Sequence, residues 1–491
     1  MLIRIVTYWV DSRVSHGALI ALVLALVAPA CSVNPATGKQ QLNLISESQE
    51  IAMGKEADGQ IVSQMGLYPD DELQRYIQGL GAQLAAKSER PNLPWTFRLL
   101  DDPLVNAFAL PGGYVYVTRG IMAHLESEAE LVGILGHEIG HVTARHGVNR
   151  LSKQQLAGLG LGVGMIVSPE FAQFGDLAQT GMGLLFLKYS RDDERQSDEL
   201  GLRYALRSNY DPREIPEVFG LLERVSRAAG GGRAPGWMAT HPDPGQRREW
   251  MQGEVAKLDR DLSDSVVNSR SYQQRLDGMV FGANPRDGYF DESRFLHPEL
   301  AFSLDFPNGW QTQNQRDAVV GVSKEQDAIM QLTLSSEADP SAAVTKFGNQ
   351  EGVEIGRAES RRIRGVLMAT ALFEVPREEN SIFGRVVFAR DGERTFQVLG
   401  YTTKDKWSQY SETFDDSLSS YRRVTDSAVL NVQPSRLSMV DIERGLTLEA
   451  FQQRYPSSVP IQTLGLINRL DSQGRLVGGD LAKRVIGGPG G

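Results

Sequence analysis

The sequence lacks the features typical of disulfide-bonded, nucleic-acid-binding and membrane-spanning proteins. It contains one cysteine among 491 residues, so no disulfide bond can form within the chain. Its formal net charge is -10, which argues against a nucleic-acid partner, because phosphate binding requires a basic face. No apolar run after Cys31 is long enough to span a bilayer. With 41% hydrophobic and 23% charged residues, the composition is that of an ordinary globular protein of several domains.

The lone cysteine follows a short apolar run from Ala18 to Ala28. That run has the proportions of a signal peptide and is too short for a membrane span. The stretch VAPAC resembles a bacterial lipobox, in which the cysteine becomes the lipidated first residue. We therefore predict a signal peptide over 1–30 and a tether over 31–46 that begins at a lipidated Cys31. This implies a periplasmic protein anchored to the outer membrane of a Gram-negative bacterium; the alternative is plain secretion with an incidental cysteine.

The segment GHEIGHVTARH carries two histidines four residues apart. In a helix, His137 and His141 share a face and can present two imidazoles to one metal ion. Glu138 lies about 100° round the same helix, where it could take a proton from a water that the ion polarises. The alternative is a solvated helix, but the apolar run before the motif favours burial.

A catalytic zinc site of this kind needs a third protein ligand. His146 is one candidate, but it stands one residue too early for the H-E-x-x-H-x-x-G-x-x-H pattern, so the spacing excludes it. The second candidate is Glu194, in the helical segment SRDDERQSDELG. Asp198 shares its face and could accept an N–H from a ligand histidine. The alternative for this segment is an exposed helix with many salt bridges.

Four stretches then occur in order, NAFALPGGYVYVTRG, ELVGILGHEIGHVTARH, SRDDERQSD and THPDPGQR. Together they resemble the HtpX/BepA-like zinc metalloprotease family, which includes the CAAX prenyl proteases. The resemblance implies a mostly α-helical, zincin-type (gluzincin) metalloprotease domain with a small edge sheet over 47–270. It implies one zinc ion per chain, held by His137, His141 and Glu194, with Glu138 as the catalytic general base. The implied substrates are polypeptides, in particular misfolded or misassembled envelope proteins.

The stretch THPDPGQR adds two residues to the site that the resemblance implies. His241 would be catalytic, either stabilising the oxyanion or occupying the open zinc position in a resting state. Arg247 would hold the loop or a carboxylate, and would support the ligands together with Asp198. The alternative for His241 is a helix-capping His-Pro turn. A different class of function also stays open, a chaperone-like or cell-wall-binding assembly factor whose metal site is silent or latched.

The stretch LPGGYVYV predicts where substrate binds. Proteases of this kind bind substrate as an added strand against an edge strand over the zinc. The glycine turn would let the backbone approach closely, and the strand after it would offer free ladder groups. The predicted substrate-binding residues are Leu110, Gly112, Gly113, Tyr114, Val115 and Tyr116. An internal hairpin is the alternative.

The remaining sequence has a different character. Short alternating segments such as AFSLDF and TFQVLGY predict an α+β domain of unknown role over 290–425. The tail over 437–487 resembles a LysM module, a small βααβ binder of peptidoglycan; an unrelated capping domain is the alternative. The glycine-rich apolar segment over 156–167 predicts core helices packed through small residues rather than a membrane hairpin.

Overall fold

The computed structural model describes residues 31–158, 188–228, 237–241, 243–470 and 474–488. The predicted signal peptide, residues 1–30, and nearly all of the apolar segment over 156–167 lie outside these residues. Within the described ranges, no helix combines the length and the apolarity that crossing a bilayer requires.

The chain divides into two compact units. The first comprises Met1–Leu276, Asp441–Gly445 and Gly465–Ala482, and the second comprises Asp277–Val440, Leu446–Leu464 and Lys483–Gly491. The predicted protease range 47–270 belongs to the first unit, and the predicted α+β range 290–425 belongs to the second. Residues 437–487 are divided between the two units. The predicted domain boundaries themselves stay predictions.

Helices dominate the first unit. Its helices are α1 (Glu47–Met65), α2 (Asp71–Ala85), α3 (Arg119–His124), α4 (Glu128–Thr143), α5 (His146–Gly158), α6 (Arg191–Arg207), α7 (Ile215–Ala228), α8 (Trp237–Thr240), α9 (Pro244–Ala256) and α10 (Ser269–Arg275). Its strands are β1 (Cys31–Val33), β2 (Gln40–Leu42), β3 (Thr96–Leu100), β4 (Ala107–Leu110) and β5 (Tyr114–Thr118). A helical unit with a small sheet agrees with the predicted fold class in this coarse form.

Helix α4, which carries the two histidines, lies in the core of this unit. All of its residues are buried, including both histidines and the glutamate between them. Ser127 caps its N-terminus by accepting a hydrogen bond from the backbone N–H of Glu130. The acidic Glu128 in the first turn interacts favourably with the helix dipole. The apolar residues before the motif therefore bury this helix, as predicted.

Helix α6 lies unusually close to α4, and glycine makes this possible. A β-carbon built on Gly136 would lie 3.1 Å from the α-carbon of Gly201. A β-carbon built on Gly140 would lie 3.1 Å from the α-carbon of Ser197. Few side-chain contacts in proteins are this short, so residues larger than glycine would push the helices apart. The close approach brings the acidic face of α6 to the histidines of α4.

The three-stranded sheet of the first unit has the order β3-β5-β4. Strand β5 pairs in parallel with β3 and antiparallel with β4, so both of its edges are hydrogen-bonded. The expectation that residues 114–117 offer free ladder groups to a substrate is therefore wrong. Strand β4 pairs with β5 alone among the described residues, and an added strand would have to pair with β4.

The second unit is built around an antiparallel sheet. Its strands are β6 (Tyr289–Asp291), β7 (Arg294–His297), β8 (Phe302–Asp305), β9 (Gln311–Asn314), β10 (Ala318–Val322), β11 (Ala328–Leu334), β12 (Glu354–Ile355), β13 (Glu359–Ile363), β14 (Val366–Val375), β15 (Ile382–Asp391), β16 (Arg394–Thr403) and β17 (Arg422–Arg423). Its helices are α11 (Pro340–Gly348), α12 (Trp407–Ser419) and α13 (Ser427–Leu430).

The larger sheet has the order β12-β14-β15-β16-β11-β10-β9, with β13 also paired to β14. Helix α12 packs on one face through Tyr410, Phe414 and Leu418, which form a hydrophobic cluster with residues of β11, β14, β15 and β16. Helix α11 packs on the other face through Val344 and Phe347. Each face of the sheet therefore has its own core. The smaller sheet has the order β17-β8-β7-β6.

Apart from two strands of two residues each, Leu446–Thr447 and Arg475–Leu476, the C-terminal residues follow a strand, helix, helix, strand order. The elements are β18 (Arg436–Asp441), β19 (Leu446–Thr447), α14 (Leu448–Arg454), α15 (Ile461–Ile467), β20 (Arg475–Leu476) and β21 (Leu481–Ile486). This is the element order of the predicted βααβ module, and the LysM-like interpretation stays a prediction.

Candidate active site

The two histidines of α4 form one side of a buried cluster. The Nε2 atoms of His137 and His141 lie 3.0 Å apart, as the four-residue spacing on one helix face predicts. Their side chains are 5% and 2% exposed. Burial and the neighbouring His137 hold the pKa of His141 well below its usual range. A neutral imidazole is the form that binds a metal ion.

Glu194 reaches this pair from the first turn of α6. Ser190 and Asp193 form a capping box that fixes the start of this helix. The carboxylate of Glu194 then lies 3.5 Å from Nε2 of His141 and 3.6 Å from Nε2 of His137. Glu194 is 2% exposed, so the interpretation of this helix as a solvated, salt-bridged surface is wrong at this position. His137, His141 and Glu194 form a buried metal-binding group, as predicted.

His241 completes the cluster as a fourth donor. Its Nδ1 atom lies 2.8 Å from Glu194 Oε1 and 3.3 Å from His137 Nε2. All four ligand atoms lie within 4.8 Å of one another. Burial disfavours a charge on His241, but the carboxylates of Glu194 and Glu138 outweigh it and raise its pKa above the usual value.

The spacing of the four donors fits a tetrahedral metal ion. Ligands at about 2.0–2.1 Å from one tetrahedral ion lie about 3.3 Å from each other. Nε2 of His137 lies 3.0 Å from Nε2 of His141 and 3.3 Å from Nδ1 of His241. The Glu194 carboxylate lies 2.8 Å from His241 and 3.5 Å from His141 through Oε1, and 3.6 Å from His137 through Oε2. Three imidazole nitrogens and one carboxylate oxygen are donors that zinc accepts. The residues present therefore fit a divalent ion of this kind.

Asp198 and Arg247 support the ligands from behind. Asp198 Oδ1 lies 2.9 Å from Nδ1 of His137. Arg247 donates two hydrogen bonds to the Asp198 carboxylate, at 2.8 and 2.6 Å, and its Nη1 lies 2.7 Å from Glu194 Oε2. Burial opposes the ionised form of Asp198, but the charge and hydrogen bonds of Arg247 prevail and lower its pKa to about 2. The ionised carboxylate makes Nδ1 the protonated nitrogen of His137, which leaves Nε2 free to bind a metal.

His146 lies behind the cluster and outside it. Its Nδ1 atom is 3.0 Å from Nδ1 of His141, and its Nε2 atom is 2.7 Å from the side-chain oxygen of Gln196. It is buried and contacts the ring nitrogen of His141 that faces away from the donor cluster. The sequence argument that excluded His146 as a ligand therefore agrees with its position.

Glu138 has the environment expected of a proton acceptor. Its side chain is 1% exposed, and neither carboxylate oxygen has a hydrogen-bond partner. The Nε2 atom of His241 lies 3.6 Å from Oε1. A buried carboxylate without hydrogen bonds is costly, so a fold retains one only where it serves another purpose.

Comparison with known proteins identifies the domain that contains the cluster. Residues 71–255 match the model of Peptidase family M48, over a stretch that contains the whole cluster. The chain carries an M48 peptidase domain. This confirms the resemblance inferred from the four sequence stretches, and it makes the chain a metallopeptidase.

The relatives of the M48 domain come from bacteria and mitochondria. The chain is 26% identical over 357 residues to the "Beta-barrel assembly-enhancing protease" of Escherichia coli (strain K12), covering 64% of this chain and 72% of that protein. It is 30% identical over 286 residues to the protein of that name from Yersinia pestis, covering 56% of each chain. It is 32% identical over 180 residues to the "Mitochondrial metalloendopeptidase OMA1" of Arabidopsis thaliana, covering 36% of this chain and 35% of that protein.

Two aromatic residues of the M48 domain contact the site but were not predicted from the sequence. Tyr189 stacks on the ring of His141, with centroids 3.9 Å apart. Trp237 stacks on His241 at 4.5 Å, and the guanidinium of Arg247 lies 4.6 Å from its ring. The four-residue spacing from Trp237 to His241 could have indicated a shared helix face. Nothing local in the sequence could have placed Tyr189 on a histidine ring.

The clefts beside the cluster are small in this arrangement. One cleft, lined by His137, Asp198 and Trp237, has a volume of about 20 Å³. A second, lined by Leu110, His141 and Tyr189, has a volume of about 10 Å³. Leu110 is the last residue of β4, so the free strand edge and the metal-binding group border the same cleft.

The turn between β4 and β5 needs its two glycines. Gly112 and Gly113 have φ angles of 85° and 99°, which other residues rarely adopt. A β-carbon on Gly112 would lie 2.8 Å from the backbone oxygen of Glu50. The buried carboxylate of Glu50 accepts hydrogen bonds from the Gly112 N–H and from Arg90. These contacts fix the end of β4 beside the cluster.

Proposed function

We propose that this protein is a zinc-dependent endopeptidase that hydrolyses misfolded or misassembled proteins of the bacterial envelope. The observation that carries the proposal is the buried cluster of four closely spaced donors beside the carboxylate of Glu138, which has no hydrogen-bond partner. Three nitrogen donors and one oxygen donor support zinc as the metal. The name of the bacterial relatives, beta-barrel assembly-enhancing protease, supports the envelope as the place of action.

The proposed roles follow from the geometry. A zinc ion held by His137, His141 and Glu194 would polarise a water molecule and the scissile carbonyl. Glu138 accepts a proton from the attacking water and returns it to the amine that leaves. General-base assistance of this kind is typically worth about 10²–10⁴-fold in rate. Asp198 holds His137 in the tautomer that keeps Nε2 directed at the metal.

We further propose that the arrangement is a resting state in which His241 occupies the fourth metal position. Two observations support this reading over a role in oxyanion stabilisation. The Nδ1 atom of His241 lies among the ligand atoms, and the two described clefts that border the cluster are narrow, with volumes of about 20 and 10 Å³. Catalysis would then require His241 to move away from Glu194 and Glu138, so that water and substrate could approach the residues that would hold the zinc.

Substrate binding is assigned to strand β4. Its outer edge is free of strand partners within the described chain, and its last residue, Leu110, lines the cleft beside His141. A polypeptide added antiparallel to β4 would lie along this cleft. Gly112 and Gly113 contribute by fixing the turn, whereas Tyr114, Val115 and Tyr116 support the sheet from its centre.

We also propose a lipid anchor at Cys31 and a peptidoglycan contact through residues 437–487. The support for the anchor is the lone cysteine after a short apolar run, and it implies outer-membrane attachment facing the periplasm. The support for the wall contact is the βααβ order of the tail. Mass spectrometry of native protein tests the first, and a diacylglyceryl-modified Cys31 is expected. Sedimentation with purified peptidoglycan tests the second.

The metal assignment is tested by elemental analysis of purified mature protein. One zinc per chain is expected in the natural sequence, and His141→Ala should lose most of it. His124→Ala is the matched control, since it removes a buried histidine of α3 that is outside the donor set. Equal zinc content in the His141→Ala protein and the natural one would contradict the ligand assignment.

A further inference from the structure

Part of the predicted tether is packed against the end of helix α4. Asn34 and Gln41 each donate a side-chain amide hydrogen bond to the backbone oxygen of Ala144, at 3.3 and 3.2 Å. Arg145 donates to the backbone oxygen of Ile45 at 2.8 Å. A helix leaves its last carbonyl oxygens without partners of its own, so the tether supplies partners where α4 ends. Asn34 is 5% exposed and is therefore part of the interior of the first unit.

The orientation of the Asn34 amide is fixed by the backbone that follows it. Its Oδ1 atom accepts hydrogen bonds from the N–H groups of Ala36 and Thr37, at 2.9 and 3.3 Å, which is an Asx turn. The Nδ2 atom therefore points the other way and lies 3.3 Å from Oε1 of Gln196, on α6. An amide nitrogen donates and does not accept, so the Gln196 atom that faces Asn34 is the oxygen.

This orientation determines which ring nitrogen of His146 carries a proton. The Nε2 atom of His146 lies 2.7 Å from the same Gln196 oxygen, an acceptor, so Nε2 is the donor. His146 is 5% exposed, and burial favours the neutral imidazole, whose other nitrogen is an acceptor. Its Nδ1 atom therefore accepts a hydrogen bond from Nδ1 of His141, 3.0 Å away. The hydroxyl of Ser197, 3.4 Å from the same atom, can also donate to it.

His141 is held in one tautomer by this chain of hydrogen bonds. With its proton on Nδ1, the lone pair of Nε2 is available on the side where His137 and Glu194 lie, at 3.0 and 3.5 Å. His137 is oriented in the same sense by Asp198, 2.9 Å from its Nδ1. One histidine of the pair is thus fixed by a carboxylate, and the other by uncharged groups that lead to the predicted tether.

We propose that Asn34 is a positioning residue for the metal site, which acts through Gln196 and His146 to fix the tautomer of His141. The packed part of the predicted tether is then a component of the site as well as a linker. The effect on zinc binding rests on the proposed function, but the tautomer of His141 is a property of the metal-free protein too. Displacing the tether would remove the group that sets the direction of the whole chain.

Two substitutions that add the same charge should have opposite effects on zinc affinity. Asn34→Asp replaces the donor by an acceptor, so the Gln196 amide should rotate and donate both to the new carboxylate and to Nε2 of His146. The proton of His141 then moves to Nε2, the atom that would bind the metal, and zinc affinity should fall about 10- to 100-fold. Gln196→Glu keeps an acceptor in place and should retain the affinity. Gln40→Glu, at an exposed position of β2, is the matched control and should also retain it.

Competition with a chelator measures these affinities on purified mature protein, with thermal unfolding as the check on folding. Gln196→Met keeps the length of the side chain but removes the acceptor, so it tests the same chain without altering the tether. It should lower zinc affinity, and Gln196→Glu should not. Equal affinity in Asn34→Asp and the natural protein, or equal losses in Asn34→Asp and Gln196→Glu, would overturn the proposal.

Solid-state NMR of metal-free protein with ¹⁵N-labelled histidine gives a readout that does not use zinc. It distinguishes protonated from unprotonated ring nitrogens, and His141→Ala assigns the signals of His141 by their loss. The proton should be on Nδ1 in the natural protein and in Gln196→Glu, and on Nε2 in Asn34→Asp. An unprotonated Nδ1 of His141 in the natural protein would overturn the proposal. A natural protein with this tautomer that binds no zinc would contradict the proposed function alone.

Discussion

The buried contact between Glu130 and Arg469 gives a sharp prediction about stability. Glu130 lies in the first turn of α4 and is 1% exposed. Arg469, which follows α15 in the chain and belongs to the same unit, contacts both of its carboxylate oxygens. Burial raises the pKa of Glu130 from 4.5 to about 7, although the charge of Arg469 lowers it. Glu130 therefore loses its proton at a lower pH in the unfolded chain than in the folded protein.

The size and sign of the effect follow from this shift. Between pH 4.5 and pH 7 the folded protein holds the proton of Glu130 while the unfolded chain has released it. Stability from this group is therefore fully present below pH 4.5 and is lost as the pH rises through 7. A shift of this size corresponds to roughly 3 kcal/mol, because one pKa unit is about 1.4 kcal/mol.

Glu130→Gln removes this titration and should flatten the pH profile. We expect the natural protein to lose roughly 3 kcal/mol more than the variant between pH 4.5 and pH 8. Urea unfolding followed by tryptophan fluorescence at both pH values measures the difference, and contributions common to both proteins cancel. Arg469→Met should steepen the profile, since the carboxylate loses its counter-charge. Parallel stability curves for the natural protein and Glu130→Gln would refute the reasoning.

Three further predictions concern the metal site. Asp198→Asn should lower zinc affinity about 10- to 100-fold, because His137 loses the carboxylate that fixes its tautomer. Competition with a chelator measures the affinity, and an unchanged affinity would contradict this role. Gly136→Ala should reduce zinc content by pushing α6 away from α4, whereas Gly79→Ala, whose β-carbon meets no neighbouring atom, should leave it unchanged. His241→Ala should raise the rate of peptide cleavage at constant zinc content if His241 is a latch, and a lower rate would assign it to oxyanion stabilisation instead.

Local sequence patterns predicted the central part of the site. The spacing of His137 and His141 placed two imidazoles on one helix face, and the apolar residues before them predicted burial. Glu194 and Asp198 share a face of α6 for the same reason. These relations depend on helix geometry alone, so one sequence is enough to find them.

Features that depend on distant contacts could not be predicted. The strand Tyr114–Thr118 has the composition of an edge strand or a central one, and only its pairing with β3 and β4 decides between them. Tyr189 meets His141 through tertiary packing, and Arg469 meets Glu130 across 339 residues. The close approach of Gly136 to Gly201 likewise becomes visible only when both helices are present.

The most direct test of the central claim compares Glu138→Gln with the natural protein in zinc content and peptide cleavage. Glu138 is not among the four donors, so the variant should bind one zinc per chain, and it should unfold at the same or a higher temperature because a buried carboxylate without hydrogen bonds is removed. Its cleavage rate should nevertheless fall about 10²–10⁴-fold, because glutamine cannot accept the proton of the attacking water. A Glu138→Gln protein that retains its zinc and cleaves peptide at the natural rate would contradict the account.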